Sequence, residues 1–277
     1  MHFLSITWDS DGTLFHIGSY PLRYYSLMFI IAFSMGWVIM KKIYNREGVD
    51  LEKLDSLFIY TVVSTLVGAR LGHFLFYEPE VFITDPLSVF LPFQFSPEFK
   101  VTGFQGLASH GAAIGIIIAM YLYSKKVIKK PVLWILDRII LAVAFGGIFV
   151  RLGNFFNSEI VGKPTKSDYG VVFARLGEDF PRHPAQLYEA FGYVIVFIIL
   201  WSVYWKTEKR KQLGYIFGLF LVLLWTVRFI AEFFKRSQGG FETALGTFST
   251  GQWLSIPFII AGFYFMFRKP KFIEVKE

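Results

Sequence analysis

An arginine near the end of an apolar helix, followed at once by amides and a carboxylate, is suited to holding an oxyanion. The run Arg151-Leu-Gly-Asn-Phe-Phe-Asn-Ser-Glu-Ile-Val-Gly162 has that form. Guanidinium offers a planar fork of donors that matches phosphate, and asparagine amides orient bound oxygens or backbone. A plain helix terminus capped by Asn154 and Asn157 would also be polar, but it has no need of a buried arginine. A second group is Arg182-His-Pro-Ala-Gln-Leu-Tyr-Glu189. Pro184 suits a helix opening, with Gln186, Tyr188 and Glu189 in the first turns. There the alternative is interfacial anchoring by tyrosine and a favourable acid near a helix start.

Other polar groups interrupt apolar stretches. Arg228 and Glu232 stand one turn apart, which fits an intrahelical ion pair as well as a site. Arg70, His73 and Tyr77 share one helical face, either lining a site or locking a helix to its neighbours. The segment Gly106-Leu-Ala-Ser-His-Gly-Ala-Ala-Ile-Gly115 gathers small residues around His110. Its Gly111-xxx-Gly115 spacing permits close helix contact, so His110 is a catalytic candidate or a packed hydrogen-bonding residue. Arg138, beside Asp137, reads as structural.

What positions these groups must be helices in lipid. Of 277 residues, 54% are hydrophobic and 19% aromatic, including 33 Phe, and a soluble domain of this size could not cover so much apolar surface. Mean hydropathy is +0.49. Spans of about 20 apolar residues are expected at roughly 24–41, 56–77, 104–124, 132–155, 186–205, 213–234 and 251–268. The fold class is therefore an all-α polytopic membrane protein of about seven transmembrane helices. No internal repeat is evident, and the N-terminus lacks the form of a cleaved signal peptide.

The loops set the orientation. Segments 41–55, 125–131, 206–212 and 268–277 carry sixteen Lys and Arg, while the N-terminal segment and loops 78–103, 156–185 and 235–250 carry eight. The positive-inside rule places the N-terminus outside and the C-terminus in the cytoplasm. The net charge of +7 is thus a topology signal, and no nucleic-acid partner is expected. The long loops 78–103 and 156–185 are then external, the second forming a cap. On this scheme Tyr25, Arg70, His110, Arg151, Glu189 and Arg228 all lie in the outer half of the bilayer. A wet, cationic cavity opening outward, suited to an anionic lipid headgroup, is the implied content. With no cysteine in the chain, disulfides, thiolate metal sites and a cysteine nucleophile are excluded.

Several of these runs together resemble the prolipoprotein diacylglyceryl transferase family. They are Leu22-Arg-Tyr-Tyr25, Ser109-His-Gly-Ala-Ala-Ile-Gly115, Arg151-Leu-Gly-Asn-Phe-Phe-Asn-Ser-Glu159, His183-Pro-Ala-Gln-Leu-Tyr-Glu189, Arg228-Phe-Ile-Ala-Glu-Phe-Phe234 and Gly251-Gln-Trp-Leu-Ser255. They stand in the family's order and span most of the chain. Ala112 departs from the usual His-Gly-Gly by one methyl group. The resemblance implies a bacterial inner-membrane enzyme that moves diacylglyceryl from phosphatidylglycerol to the lipobox cysteine of a preprolipoprotein still carrying its signal peptide. Glycerol 1-phosphate would leave. By the same resemblance Arg151 binds the phosphate with help from Arg228, while Asn154, Glu159 and Gly162 shape the site. Glu232 orients Arg228, His110 is the candidate base, and Tyr25 and Glu189 support them, with Arg70, Asn157, Gln186 and Tyr188 nearby. No metal or cofactor is expected, because the candidate groups are arginines and amides with few carboxylates.

Rival classes fit less well. A lipid flippase or transporter predicts polar residues in the inner halves of the helices, which are largely missing. A retinal-type receptor needs a lysine deep in the last span, and 251–267 has none. A scaffold has no use for so many intramembrane arginines.

Overall fold

The computed structural model describes residues 5–18, 20–91, 93–95, 98–101, 108–165, 167, 169–236 and 248–272. In hydrocarbon the backbone has no water to bond, so an apolar chain closes its hydrogen bonds within helices. Six helices are long and apolar enough to cross a membrane, and a shorter apolar one makes the seventh. In chain order the helices are α1 (Tyr24–Arg46), α2 (Leu51–Tyr77), the short α3 (Val81–Thr84), α4 (Ser109–Tyr123), α5 (Val132–Phe156), α6 (Ala185–Lys206), α7 (Tyr215–Ala231) and α8 (Thr250–Phe267). The polytopic, mainly helical expectation holds. The expected start of the third span, at 104–107, lies outside the described residues. So does most of the 235–250 loop.

Two features differ from the sequence reading. Short strands occur where none is expected: β1 (Ser5–Trp8), β2 (Thr13–Ile17), β3 (Tyr20–Arg23), β4 (Phe93–Gln94), β5 (Lys100–Val101) and β6 (Gly170–Phe173). And α7 ends at Ala231, where 213–234 is expected, because residues 232–234 turn away.

The chain forms two compact units, Met1–Ile43 with Leu136–Glu277, and Tyr44–Ile135. In the second unit α2 and α4 meet backbone to backbone. A methyl group on Gly68 would stand 2.5 Å from the Gly111 carbonyl oxygen, and one on Gly115 2.5 Å from that of Ser64. The expected close contact at Gly111-xxx-Gly115 is thus made, against a matching Gly68-xxx-Gly72 of α2. Near the other end of these helices the Tyr123 hydroxyl meets that of Tyr44 at 2.9 Å and donates to the Lys53 carbonyl at 2.7 Å.

In the first unit α7 and α8 cross at another glycine pair. A methyl on Gly218 would lie 2.6 Å from the Gly262 carbonyl oxygen, and the reverse distance is 2.7 Å. Asp137, wholly buried on α5, accepts from the backbone N–H groups of Gly214 at 2.6 Å and Phe217 at 2.9 Å, so it caps α7. Arg138 beside it is fully buried and donates to the Arg210 carbonyl at 3.3 Å, which agrees with its structural reading.

The 156–185 segment expected as a cap is folded. β6 pairs in parallel with β1, from Ser5↔Gly170 to Trp8↔Phe173. Trp8 and Phe155 pack on the buried cluster of Val161, Val171 and Phe173. Arg182 clasps the segment: Nη1 donates to the Gly162 carbonyl at 3.0 Å, Nη2 to Glu178 at 2.5 Å, and Nε also to Glu178. That hydrogen bonding holds the Glu178 carboxyl below its usual range. The stabilisation is therefore present at neutral pH and lost as pH falls through the lowered value.

Candidate anion site at the end of α5

Arg151 stands on the last turns of α5, with only 10% of its side chain exposed. Nη1 donates to Asn154 Oδ1 at 3.3 Å, and Nε lies 3.1 Å from Glu189 Oε2. Its guanidinium carbon stands 6.0 Å from the ring centre of Tyr193, a residue the sequence reading does not single out. The Asn154 amide donates onward to Glu159 Oε2 at 3.2 Å, and the Asn157 amide to Glu159 Oε1 at 3.1 Å. The amides therefore turn to Glu159 instead of capping the helix.

Backbone conformation makes this closure possible. Ser158 and Ile160 both adopt positive φ, 55° and 54°, which is costly for a β-branched residue. These two residues reverse the chain around Glu159, whose N–H donates to the Asn154 carbonyl at 2.9 Å. Gln186, buried at the start of α6, fixes the turn from the other side by donating to the Glu159 carbonyl at 2.5 Å. The Tyr25 side chain lies within electrostatic range of Asn154, Arg151 and Glu159. Its ring lies on α5 where Gly153 has no side chain; a methyl there would stand 2.7 Å from Cδ2 of Tyr25. On the far side of the turn, a methyl on Gly12 would come within 2.9 Å of Asn157 Oδ1, so the N-terminal loop rests on the site.

Glu189 is fully buried and links this cluster to a second one. Its Oε1 accepts from Lys235 Nζ at 3.0 Å, and the same ammonium donates to Glu232 Oε1 at 2.9 Å. Glu232 Oε2 accepts from the Ser249 hydroxyl at 3.1 Å. Gly251 leaves room for that carboxylate, since a methyl there would stand 2.8 Å from Oε2. The structure thus brings together Tyr25, Arg151, Asn154, Asn157, Glu159, Gln186, Glu189 and Glu232.

Several expected roles change. Among the described residues no ion pair joins Glu232 to Arg228. The helix ends at Ala231, and the turn that follows hands Glu232 to Lys235 and Ser249. Arg228 instead lies 4.9 Å over the Trp225 ring, with its Nε–H buried and without a partner among the described residues, in electrostatic range of Tyr193. Gly162 is a close-packing position. Its N–H donates to the His183 carbonyl at 3.0 Å and its carbonyl accepts from Arg182, so neither backbone group is offered to a ligand. Tyr188 is 41% exposed and its hydroxyl lies 3.2 Å from His183 Nδ1.

Arg70 and His110 belong to the second unit. Buried Arg70 donates to the carbonyls of Ser88 at 2.8 Å and Leu91 at 3.4 Å and stacks on Phe74, so it anchors the chain after α3. His73 pairs with Glu78 at 3.3 Å. His110 is exposed, with Nε2 3.2 Å from the Tyr77 hydroxyl. Lys235 is the functional candidate the sequence reading misses. It counts there as one loop cation among eight, although its position three residues after Glu232, on the side poor in basic residues, marks it.

Residues 12–268 match the family model for prolipoprotein diacylglyceryl transferase. The chain is 40% identical over 264 residues to the phosphatidylglycerol–prolipoprotein diacylglyceryl transferase of Tolumonas auensis, covering 95% of this chain and 97% of that one. The protein of the same name from Bacteroides fragilis is 40% identical over 275 residues, with 99% and 98% covered. That from Chloroherpeton thalassium is 38% identical over 272 residues, with 98% and 97% covered. With a buried arginine, two amides and a carboxylate set where its sequence motif stands, the chain belongs to the prolipoprotein diacylglyceryl transferase family.

Proposed function

We propose that the protein transfers diacylglyceryl from phosphatidylglycerol to the lipobox cysteine of a preprolipoprotein, the first step of lipoprotein lipidation. The observation that carries this is Arg151, a buried guanidinium whose partners are arranged around the end of one helix. In the reaction the substrate thiolate attacks the glyceryl carbon that bears the phosphate. A C–S bond forms, the C–O bond to phosphate breaks, and glycerol 1-phosphate leaves with the electron pair. Arg151 binds the phosphate, and the Nε–H of Arg228, which has no partner among the described residues, is available to the same charge. Glu159, held by two amides, is placed to read the glycerol hydroxyls of the headgroup. His110 is the candidate for removing the thiol proton, since a thiol near pKa 8.5 needs help at neutral pH.

Purified protein in detergent is expected to add diacylglyceryl to a lipobox peptide and release glycerol phosphate in equal amount, also after exhaustive chelation. Mass spectrometry of the peptide reads the result, and an unmodified peptide overturns the proposal. His110→Gln keeps hydrogen bonding but is a negligible base, so it is expected to slow turnover more than it weakens lipid binding, with rescue at raised pH. Unchanged turnover at neutral pH would reduce His110 to a hydrogen-bond partner of Tyr77.

The site faces the outer leaflet of the bacterial inner membrane, where both substrates meet at one depth. Reporter tags after Glu277 and within 125–131 are expected in the cytoplasm, and a tag within 166–180 outside. A cytoplasmic tag at 166–180 would reverse the orientation.

A further inference from the structure

Lys235 follows the last turn of α7, and its side chain is only 4% exposed. A buried ammonium is costly unless its neighbours compensate it, and Lys235 has two carboxylates, Glu189 at 3.0 Å and Glu232 at 2.9 Å. Glu189 in turn faces two cations, Lys235 on one oxygen and Arg151 on the other.

The two contacts on Glu189 differ in kind. Lys235 donates a formed hydrogen bond to Oε1. Arg151 Nε lies 3.1 Å from Oε2, yet among the described residues no N–H is directed at that oxygen. Arg151 is therefore held to Glu189 by charge, whereas Lys235 is held by charge and by a directed bond. Arg151, Lys235, Glu189 and Glu232 together balance two positive charges against two negative ones. An arginine that turns from a carboxylate to a phosphate leaves the carboxylate behind, and a stranded buried carboxylate is strongly unfavourable. Here the carboxylate already has a second, better-directed partner.

We propose that Lys235 is a positioning residue that retains Glu189 while Arg151 exchanges it for an anionic phosphate group. This rests on the transferase reading for the identity of the lipid, though the exchange itself is a property of binding. Without Lys235, Glu189 would keep Arg151 engaged, and the anion would have to compete for it. The backbone around Lys235 fixes its reach: the N–H of Lys163 donates to the Phe234 carbonyl at 2.7 Å, and the Arg236 N–H to that of Val161 at 3.3 Å.

The test is a double-mutant cycle on Lys235 and Glu189 in the full-length protein. Binding of phosphatidylglycerol micelles is read by thermal stabilisation, and KM and kcat are read in the transfer assay. Lys235→Met is expected to weaken phosphatidylglycerol binding about tenfold and to raise KM more than it lowers kcat. In a Glu189→Gln background, which has no carboxylate at position 189 to hold Arg151 and leaves Glu232 the Ser249 hydroxyl, Lys235→Met is expected to change binding by less than about threefold. Lys235→Arg, which keeps the charge, is expected to retain most of the affinity.

Equal losses from Lys235→Met in both backgrounds would overturn the proposal, because a packing defect does not depend on the charge at position 189. If Lys235→Met does not accumulate alone, the same comparison is made with Lys235→Gln. Inorganic phosphate and glycerol phosphate serve as parallel probes. Lys235-dependent stabilisation by these would assign the exchange to a free phosphate, and stabilisation by phosphatidylglycerol alone would assign it to the lipid headgroup. Coupling without thioether formation by the wild type would remove the transferase reading and leave the exchange standing. Turnover without coupling would do the reverse.

Discussion

Arg151→Lys is expected to lose about a hundredfold or more in kcat/KM while accumulating to the wild-type level, since losing a donor at a developing charge costs about that much. Lysine keeps the positive charge that faces Glu189, so the buried balance is preserved. What it lacks is the planar fork. Arg151 spends one nitrogen on Asn154 and places another beside Glu189 while still offering further N–H donors to an incoming anion. An ammonium cannot hold that geometry. Arg151→Ala is expected to fall further and to be less stable, because it leaves the wholly buried Glu189 with Lys235 alone. Turnover in Arg151→Lys close to that of wild type would reduce the residue to a generic counter-charge. Failure of the lysine variant to accumulate would make its role structural.

Asp137→Ala is expected to destabilise the protein by about 3–5 kcal/mol, the scale for removing one partner of a buried charged pair. Its two oxygens accept the backbone N–H groups of Gly214 and Phe217, and Arg138 Nη1 lies 3.9 Å away with no exposure on either side chain. The alanine variant leaves two buried donors and takes the nearby carboxylate from a buried guanidinium. Asp137→Asn keeps an acceptor and is expected to fall between the two. Thermal melting in detergent checks this. Fourteen residues separate Asp137 from Arg151 on α5, about 20 Å along the helix, so kcat of the surviving protein is expected to be unchanged. An unaltered melting curve would show that the α7 cap is dispensable.

The spans are legible in the sequence because lipid enforces a local rule: an apolar stretch must close its own hydrogen bonds as a helix. The polar run from Arg151 to Glu159 is legible for the complementary reason, since such groups are expelled from lipid unless something requires them. Pairings between distant segments are not written in spacing. Arg228 and Glu232 have the separation of an ion pair, yet the end of α7 at Ala231 gives Glu232 to Lys235. Arg70 shows a second limit. A buried guanidinium is satisfied by loop carbonyls such as those of Ser88 and Leu91 as well as by a phosphate, and sequence alone does not distinguish the two. The strands at the N-terminus escape notice because each is only four or five residues long, and β1 finds its partner in β6, far along the chain.

That last pairing has a consequence for the order of biosynthesis. Ser5 emerges from the ribosome early but pairs with Gly170, 165 residues later. At synthesis rates of roughly 5–20 residues per second, β1 waits about ten to thirty seconds for its partner. During that interval the first helices enter the membrane, while Gly12 has no Asn157 to rest on and Asp11 no Arg175 to bond its carbonyl. Lys235 arrives later still. A chain released before α6 is made, with its N-terminal helices inserted, would therefore carry Arg151 with Asn154 beside it and without the carboxylate of Glu189.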